Sequence, residues 1–223
     1  MTVSLGAYGS QLIHLCAAVI LLLAFAMLAQ RRVLQLVNLF ALQGFVLFLS
    51  TLLVAFQTGN HHLYTSAALT LALKVLLLPW ILRRLIRKLR IRGEVESLIN
   101  VPTTLLIGVV LAVISFNVAL PISTLSHSVV HGMLGIALAA VLLAFLMMIT
   151  RRIAVTQVIG FLAMENGLFL AATSATQGMP MVVELGIALD VLIGMIIIGV
   201  FFFQIRDQFD SLDISHLERL KEH

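Results

Sequence analysis

The sequence predicts an all-α, polytopic membrane protein. Seven transmembrane helices form a 3+1+3 parallel internal repeat, with the N-terminus outside and the C-terminus cytoplasmic. Three observations carry this reading. Hydrophobic residues are 61% of the 223 positions and charged residues 11%, where a soluble domain has about half and a quarter; mean hydropathy is +1.12. Seven apolar stretches lie near 10–29, 33–56, 64–82, 101–119, 128–149, 153–175 and 182–203. At 1.5 Å per residue each is long enough, or nearly so, to cross about 30 Å of hydrocarbon. Finally, Ala72-Leu73-Lys74-Val75-Leu76 and Ala188-Leu189-Asp190-Val191-Leu192 are one pentapeptide with opposite charges at its centre.

Span one ends at Arg31-Arg32 and has no basic segment before it. It reads as a retained helix, not a signal peptide. Its Cys16 is the sole cysteine, which rules out an intrachain disulfide and a cysteine-held iron–sulfur cluster. Span two runs out at Gln57-Thr58-Gly59. Span three carries Lys74 at its middle and is followed by Arg83, Arg84, Arg87, Lys88, Arg90 and Arg92. That cluster reads as a cytoplasmic membrane-surface stop, able to attract anionic lipid, in preference to a nucleic-acid site. Gly93 and the charged 83–97 segment lead into span four, a topological spacer. Span five ends at Arg151-Arg152, span six holds Glu165, and span seven holds Glu184 and Asp190. In the tail, Ser215 and Glu218 have capping-box spacing, and Leu217 and Leu220 form a short apolar edge. This segment is either a docking edge or a frayed polar end.

Every Lys and Arg except Lys74 lies in alternate loops or in the C-terminal tail. Such asymmetry puts those loops in the cytoplasm. The net charge of +4 is therefore topological. Tyr8, Tyr64 and Trp80 fall at span ends, as interfacial aromatics do.

The repeat extends beyond the pentapeptides. Leu22-Leu23-Ala24-Phe25, Met27 and Arg31-Arg32 match Leu142-Leu143-Ala144-Phe145, Met147 and Arg151-Arg152 at a constant offset of 120. With a small shift, Gln43-Gly44 falls on Glu165-Asn166. Three spans reverse the chain's direction, so span four is what makes the copies parallel. The expected units are 1–92, 93–127, 128–203 and the tail 204–223.

Lys74, Glu165 and Asp190 lie within the hydrocarbon region, with Glu184 near an outer end. An ionised side chain at that depth costs roughly 2.5–3.5 kcal/mol on insertion scales. Two readings stay open: a salt bridge that fixes packing, or a proton relay, since low dielectric favours the neutral form of acid and base alike. Lys74 and Asp190, at equivalent places in the two copies, are expected to meet. Asn166, Gln43 and His131 are candidate relay or water supports, and Asn117 a further water-holding group. His127 and His131 have i,i+4 spacing but no evident third metal ligand. No metal, cofactor or catalytic residue is expected, and no P-loop, GxGxxG or CxxC is present.

Met164-Glu165-Asn166-Gly167, Val183-Glu184-Leu185-Gly186-Ile187-Ala188-Leu189-Asp190, Lys74-Val75-Leu76-Leu77-Leu78-Pro79 and Leu212-Asp213-Ile214 resemble hydrogenase-4 component E. That family supplies a membrane subunit of formate-hydrogenlyase-type group 4 NiFe hydrogenases. The second half is also similar to subunit K of complex I (NADH-quinone oxidoreductase) and to the C subunit of Mrp-type antiporters. Subunit K carries a glutamate in each of its last two helices, both implicated in proton transfer. Aligned on the arginine pair without gaps, its first glutamate falls on Leu162, one turn before Glu165, and its second on Asp190. In the first half, Gln43 and Lys74 replace the acids.

The resemblance implies a non-catalytic subunit of a hydrogenase or complex I-like assembly in a bacterial or archaeal cytoplasmic (inner) membrane. Its partners would be antiporter-like membrane subunits and a soluble hydrogenase or dehydrogenase arm. Its intramembrane acids and lysine would serve proton or ion translocation. The alternative is a free-standing 3+1+3 transporter of the SWEET type. Those carriers hinge on prolines, whereas Pro79, Pro102, Pro121 and Pro180 are expected at span ends or in loops.

Overall fold

A computed structural model of the chain describes residues 2–59, 61–88, 97–125, 133–176 and 194. The described part is helical: α1 (Thr2–Ala29), α2 (Val33–Thr58), α3 (His61–Thr70), a π-helical segment (Leu71–Leu77), α4 (Leu78–Lys88), α5 (Val101–Leu125), α6 (Met133–Thr150) and α7 (Ala154–Thr176). Among the described residues, six helices are apolar and long enough to cross a membrane. With α3, the π segment and α4 forming one crossing, these correspond to the first six expected spans. The protein is thus a multi-pass membrane protein. Span seven (182–203), apart from Gly194, and the tail lie outside the described residues.

Local chemistry sets the ends. After α1, the Gln30 side-chain oxygen accepts from the backbone N–H groups of Arg31 (2.9 Å) and Arg32 (3.3 Å). The α2 helix closes on Gly59, whose φ of 65° is left-handed and whose N–H donates to Ala55 O at 2.9 Å. Glycine takes that conformation without a Cβ clash.

The third crossing corrects the expectation about prolines. It stays helical through the arginines to Lys88, so Pro79 lies well inside it, whereas Pro121 falls at the end of its crossing, Val101–Pro121, as expected. Pro79 has no N–H for the carbonyl of Val75, and in a regular helix its ring would collide with that carbonyl. The backbone widens just before it: the Leu78 N–H donates to Leu73 O, five residues back instead of four. Lys74 sits in the middle of this widened turn.

Helices α1 and α2 pack as a hairpin, as do α6 and α7. The two hairpins meet with α1 on α6 and α2 on α7, while the third crossing lies along α2 and α5 covers α6 and α1. One apolar cluster gathers Met27, Leu36, Phe40, Leu82, Leu143 and Ile159, and another Ala17, Ile20, Leu47, Ala137 and Leu170. Small residues allow the close crossings. A Cβ on Gly167 would lie 2.8 Å from Val141 Cγ2 and 3.1 Å from Val141 N.

The arginine-bearing ends collect on one side. Buried Arg151, at the end of α6, donates through Nη2 to Leu28 O and Gln30 O, both at 2.8 Å. It thereby satisfies carbonyls that the end of α1 leaves without helical partners. Burial lowers its pKa. Ser97 bridges to Arg151, and the Leu98 N–H donates to Thr150 O at 2.9 Å. Arg83 on α4 donates to Asn38 Oδ1 near the start of α2 at 2.8 Å.

Candidate intramembrane ion pair

The described polar centre lies where the third crossing, α2 and α7 meet. Lys74 Nζ donates to Glu165 Oε1 at 2.8 Å. Side-chain exposure is 2% for Lys74 and 4% for Glu165, so bulk solvent does not screen the pair. At an effective dielectric near 20 the attraction at this distance is about 6 kcal/mol. That offsets much of the cost of placing both charges in hydrocarbon.

Three features position the lysine. The widened turn sets its angular place on the third crossing. Gly44 on α2 makes room for it: a Cβ there would lie 3.2 Å from Lys74 Cβ and 3.4 Å from Lys74 O. Phe169, one turn beyond Glu165 on α7, puts its ring centroid 5.6 Å from Nζ, within cation–π range. Glu165 and Phe169 are i and i+4, so one face of α7 presents both carboxylate and ring.

Beside the pair, Asn166 Nδ2 donates to Gln43 Oε1 at 3.3 Å. Both residues are fully buried. Gln43 Nε2 and Asn166 Oδ1 have no further hydrogen-bond partner among the described residues. One donor and one acceptor thus remain available to a water, as buried polar groups require. Ser66, Thr70 and Lys74 recur every four residues along the third crossing, and all are buried.

The structure thus joins Lys74 to Glu165 and Gln43 to Asn166. Asp190, the acid expected to meet Lys74, lies outside the described residues, as do Glu184, His127 and His131. Asn117, expected to hold water, faces outward and donates to Val113 O at 2.8 Å. Among the described residues no three His, Cys, Asp or Glu side chains are grouped to hold a metal. Two contributors were missed in the sequence: Gly44 and Phe169. The i,i+4 spacing of Glu165 and Phe169 was the available signal for one of them.

No protein-family model matches the chain, and no solved structure matches it. It is similar to the uncharacterized protein Rv0085 of Mycobacterium tuberculosis, 36% identical over 204 residues that cover 91% of this chain and 93% of that protein. It is more distantly similar to hydrogenase-4 component E of Escherichia coli K12, 24% identical over 215 residues that cover 96% of this chain and 99% of that protein. Hydrogenase-4 component E of Shigella flexneri matches to the same extent.

Proposed function

The chain belongs to the family of the uncharacterized protein Rv0085, and we propose that it is a non-catalytic membrane subunit of a hydrogenase-like or complex I-like respiratory assembly. In this reading Lys74 and Glu165 form a proton-transfer element coupled to redox chemistry in partner subunits. The observation that carries the proposal is the fully buried Lys74–Glu165 pair, 2.8 Å apart, inside a chain otherwise built to cross a membrane. The full-length likeness to hydrogenase-4 component E supports the assembly.

The chemistry follows from electroneutrality. As ammonium and carboxylate, the pair is neutral overall. Moving one proton from Nζ to Oε1 also leaves it neutral, so the transfer creates no net buried charge. A proton arriving at Glu165 from elsewhere removes the carboxylate charge that Lys74 Nζ faces at 2.8 Å, which favours passing a proton onward. Gln43 and Asn166 supply a donor and an acceptor that can hold a water beside the pair. Glu184 and Asp190 are the remaining proposed members of the path, with His131 as a supporting group.

Pro79 lies inside a crossing, but the corresponding position in the second pentapeptide's stretch is Met195, so paired hinge prolines are still lacking for a free-standing carrier. The buried ion pair and the hydrogenase likeness favour the assembly. Purifying the tagged chain in mild detergent tests it. A hydrogenase large subunit and a long antiporter-like subunit should copurify; a lone monomer or homotrimer would contradict the proposal.

A further inference from the structure

The outward face of the third crossing carries a groove that the buried pair does not use. Its membrane-level part, about 500 Å³, lies among Ala72, Leu76, Pro79 and Trp80. Its upper part, about 550 Å³, lies among Trp80, Arg83, Arg84 and Arg87. The two share Trp80 and Arg83, so an apolar trough opens onto a basic one. From Ala72 to Arg87 the trough is about 22 Å long at 1.5 Å per residue.

The basic end is built. Arg83 is held on the surface by Asn38 Oδ1 at 2.8 Å. The Arg84 guanidinium lies 5.3 Å from the Trp80 ring centroid, which anchors it while leaving its N–H edges exposed. Trp80 is 56% exposed, and Arg83, Arg84 and Arg87 are exposed. Charge and shape together specify an occupant that is acidic at one end and apolar along the other.

We propose that this groove binds an anionic phospholipid. The phosphodiester would lie among Arg83, Arg84 and Arg87, and an acyl chain along Leu76, Pro79 and Trp80. Guanidinium groups bind phosphate oxygens in bidentate geometry. A zwitterionic lipid would bring its own ammonium to the same basic cluster and bind less well. A positive-inside role alone explains the charge, but neither the stacking of Arg84 on Trp80 nor the trough beneath it.

The test is native mass spectrometry of the full chain in mild detergent, with dioleoyl phosphatidylglycerol and dioleoyl phosphatidylethanolamine supplied at equal concentration. The phosphatidylglycerol adduct should dominate. In the Arg84→Gln/Arg87→Gln variant it should weaken about 30-fold, at about 1 kcal/mol for each basic residue. The Arg84→Lys/Arg87→Lys variant keeps the charge and the topology signal and should fall between. Trp80→Leu should also weaken the adduct, and it leaves every charge in place should the glutamine variant misfold. Equal retention of the two lipids would overturn the proposal. So would full competition by glycerol phosphate, which would mark a phosphate site with no use for the chain. Unchanged lipid binding with loss of copurifying subunits would overturn it in favour of a protein interface.

Discussion

Helices α1–α2 and α6–α7 carry similar sequences and end their first members on the same Arg-Arg pair, yet they use their polar groups differently. At the centre, α2 presents the neutral Gln43 and α7 the charged Glu165. At the end, Arg31 is exposed, whereas Arg151 is buried and holds the carbonyls of Leu28 and Gln30. Two hairpins with matching motifs can thus place their polar groups differently. The α1–α2 hairpin supplies room, through Gly44, and a hydrogen-bond acceptor, through Gln43 Oε1.

The charged centre is where this contrast breaks most sharply. Lys74→Met or Glu165→Gln alone removes one half of the buried ion pair, a loss of about 3–5 kcal/mol. The double variant should recover most of it. Thermal unfolding in detergent across the four proteins gives the coupling directly. Simple addition of the two losses would mean that the residues do not meet.

The arginine pairs sharpen the contrast at the membrane edge. Arg151→Ala should cost about 2–3 kcal/mol, because charge-assisted bonds to the end of α1 are lost. The exposed Arg31→Ala should stay within about 0.5 kcal/mol. Equal melting shifts would erase the distinction drawn between the two ends.

The two close crossings should differ less. A methyl on Gly167 meets Val141 at 2.8 Å, backbone included at 3.1 Å. Gly167→Ala should destabilise by about 1–3 kcal/mol through overpacking. At Gly44 the nearest atom is at 3.2 Å. Gly44→Ala should therefore cost less in stability, but it should displace Lys74 and reduce proton-coupled turnover. A larger melting shift at Gly44 than at Gly167 would reverse this ranking.

Much of the fold was legible because composition and length decide whether a helix can cross a bilayer. All six described crossings lie where apolar stretches do. The third ran longer than expected because arginines are good helix formers, so the helix outlasts the apolar segment. Pro79 was misplaced for the same reason. Lys74 and Glu165 stood out as ionisable residues in hydrocarbon. Their pairing was not legible. Leu- and Ala-rich spans are apolar all round, so periodicity does not say which face meets which neighbour. The widened turn at Leu71–Leu77 then shifts the angular phase of Lys74, and an argument from repeat symmetry does not anticipate that.

Whether the pair moves protons or only holds helices together is decided by the Lys74→Met/Glu165→Gln variant, in which packing is restored and the exchangeable groups are gone. Inverted membrane vesicles carrying the complex would be supplied with its electron donor, and proton uptake measured against electron flux. The account predicts an assembled complex that still transfers electrons but moves fewer protons per electron than the wild type. A wild-type ratio in that variant would contradict it and leave the ion pair as a packing device.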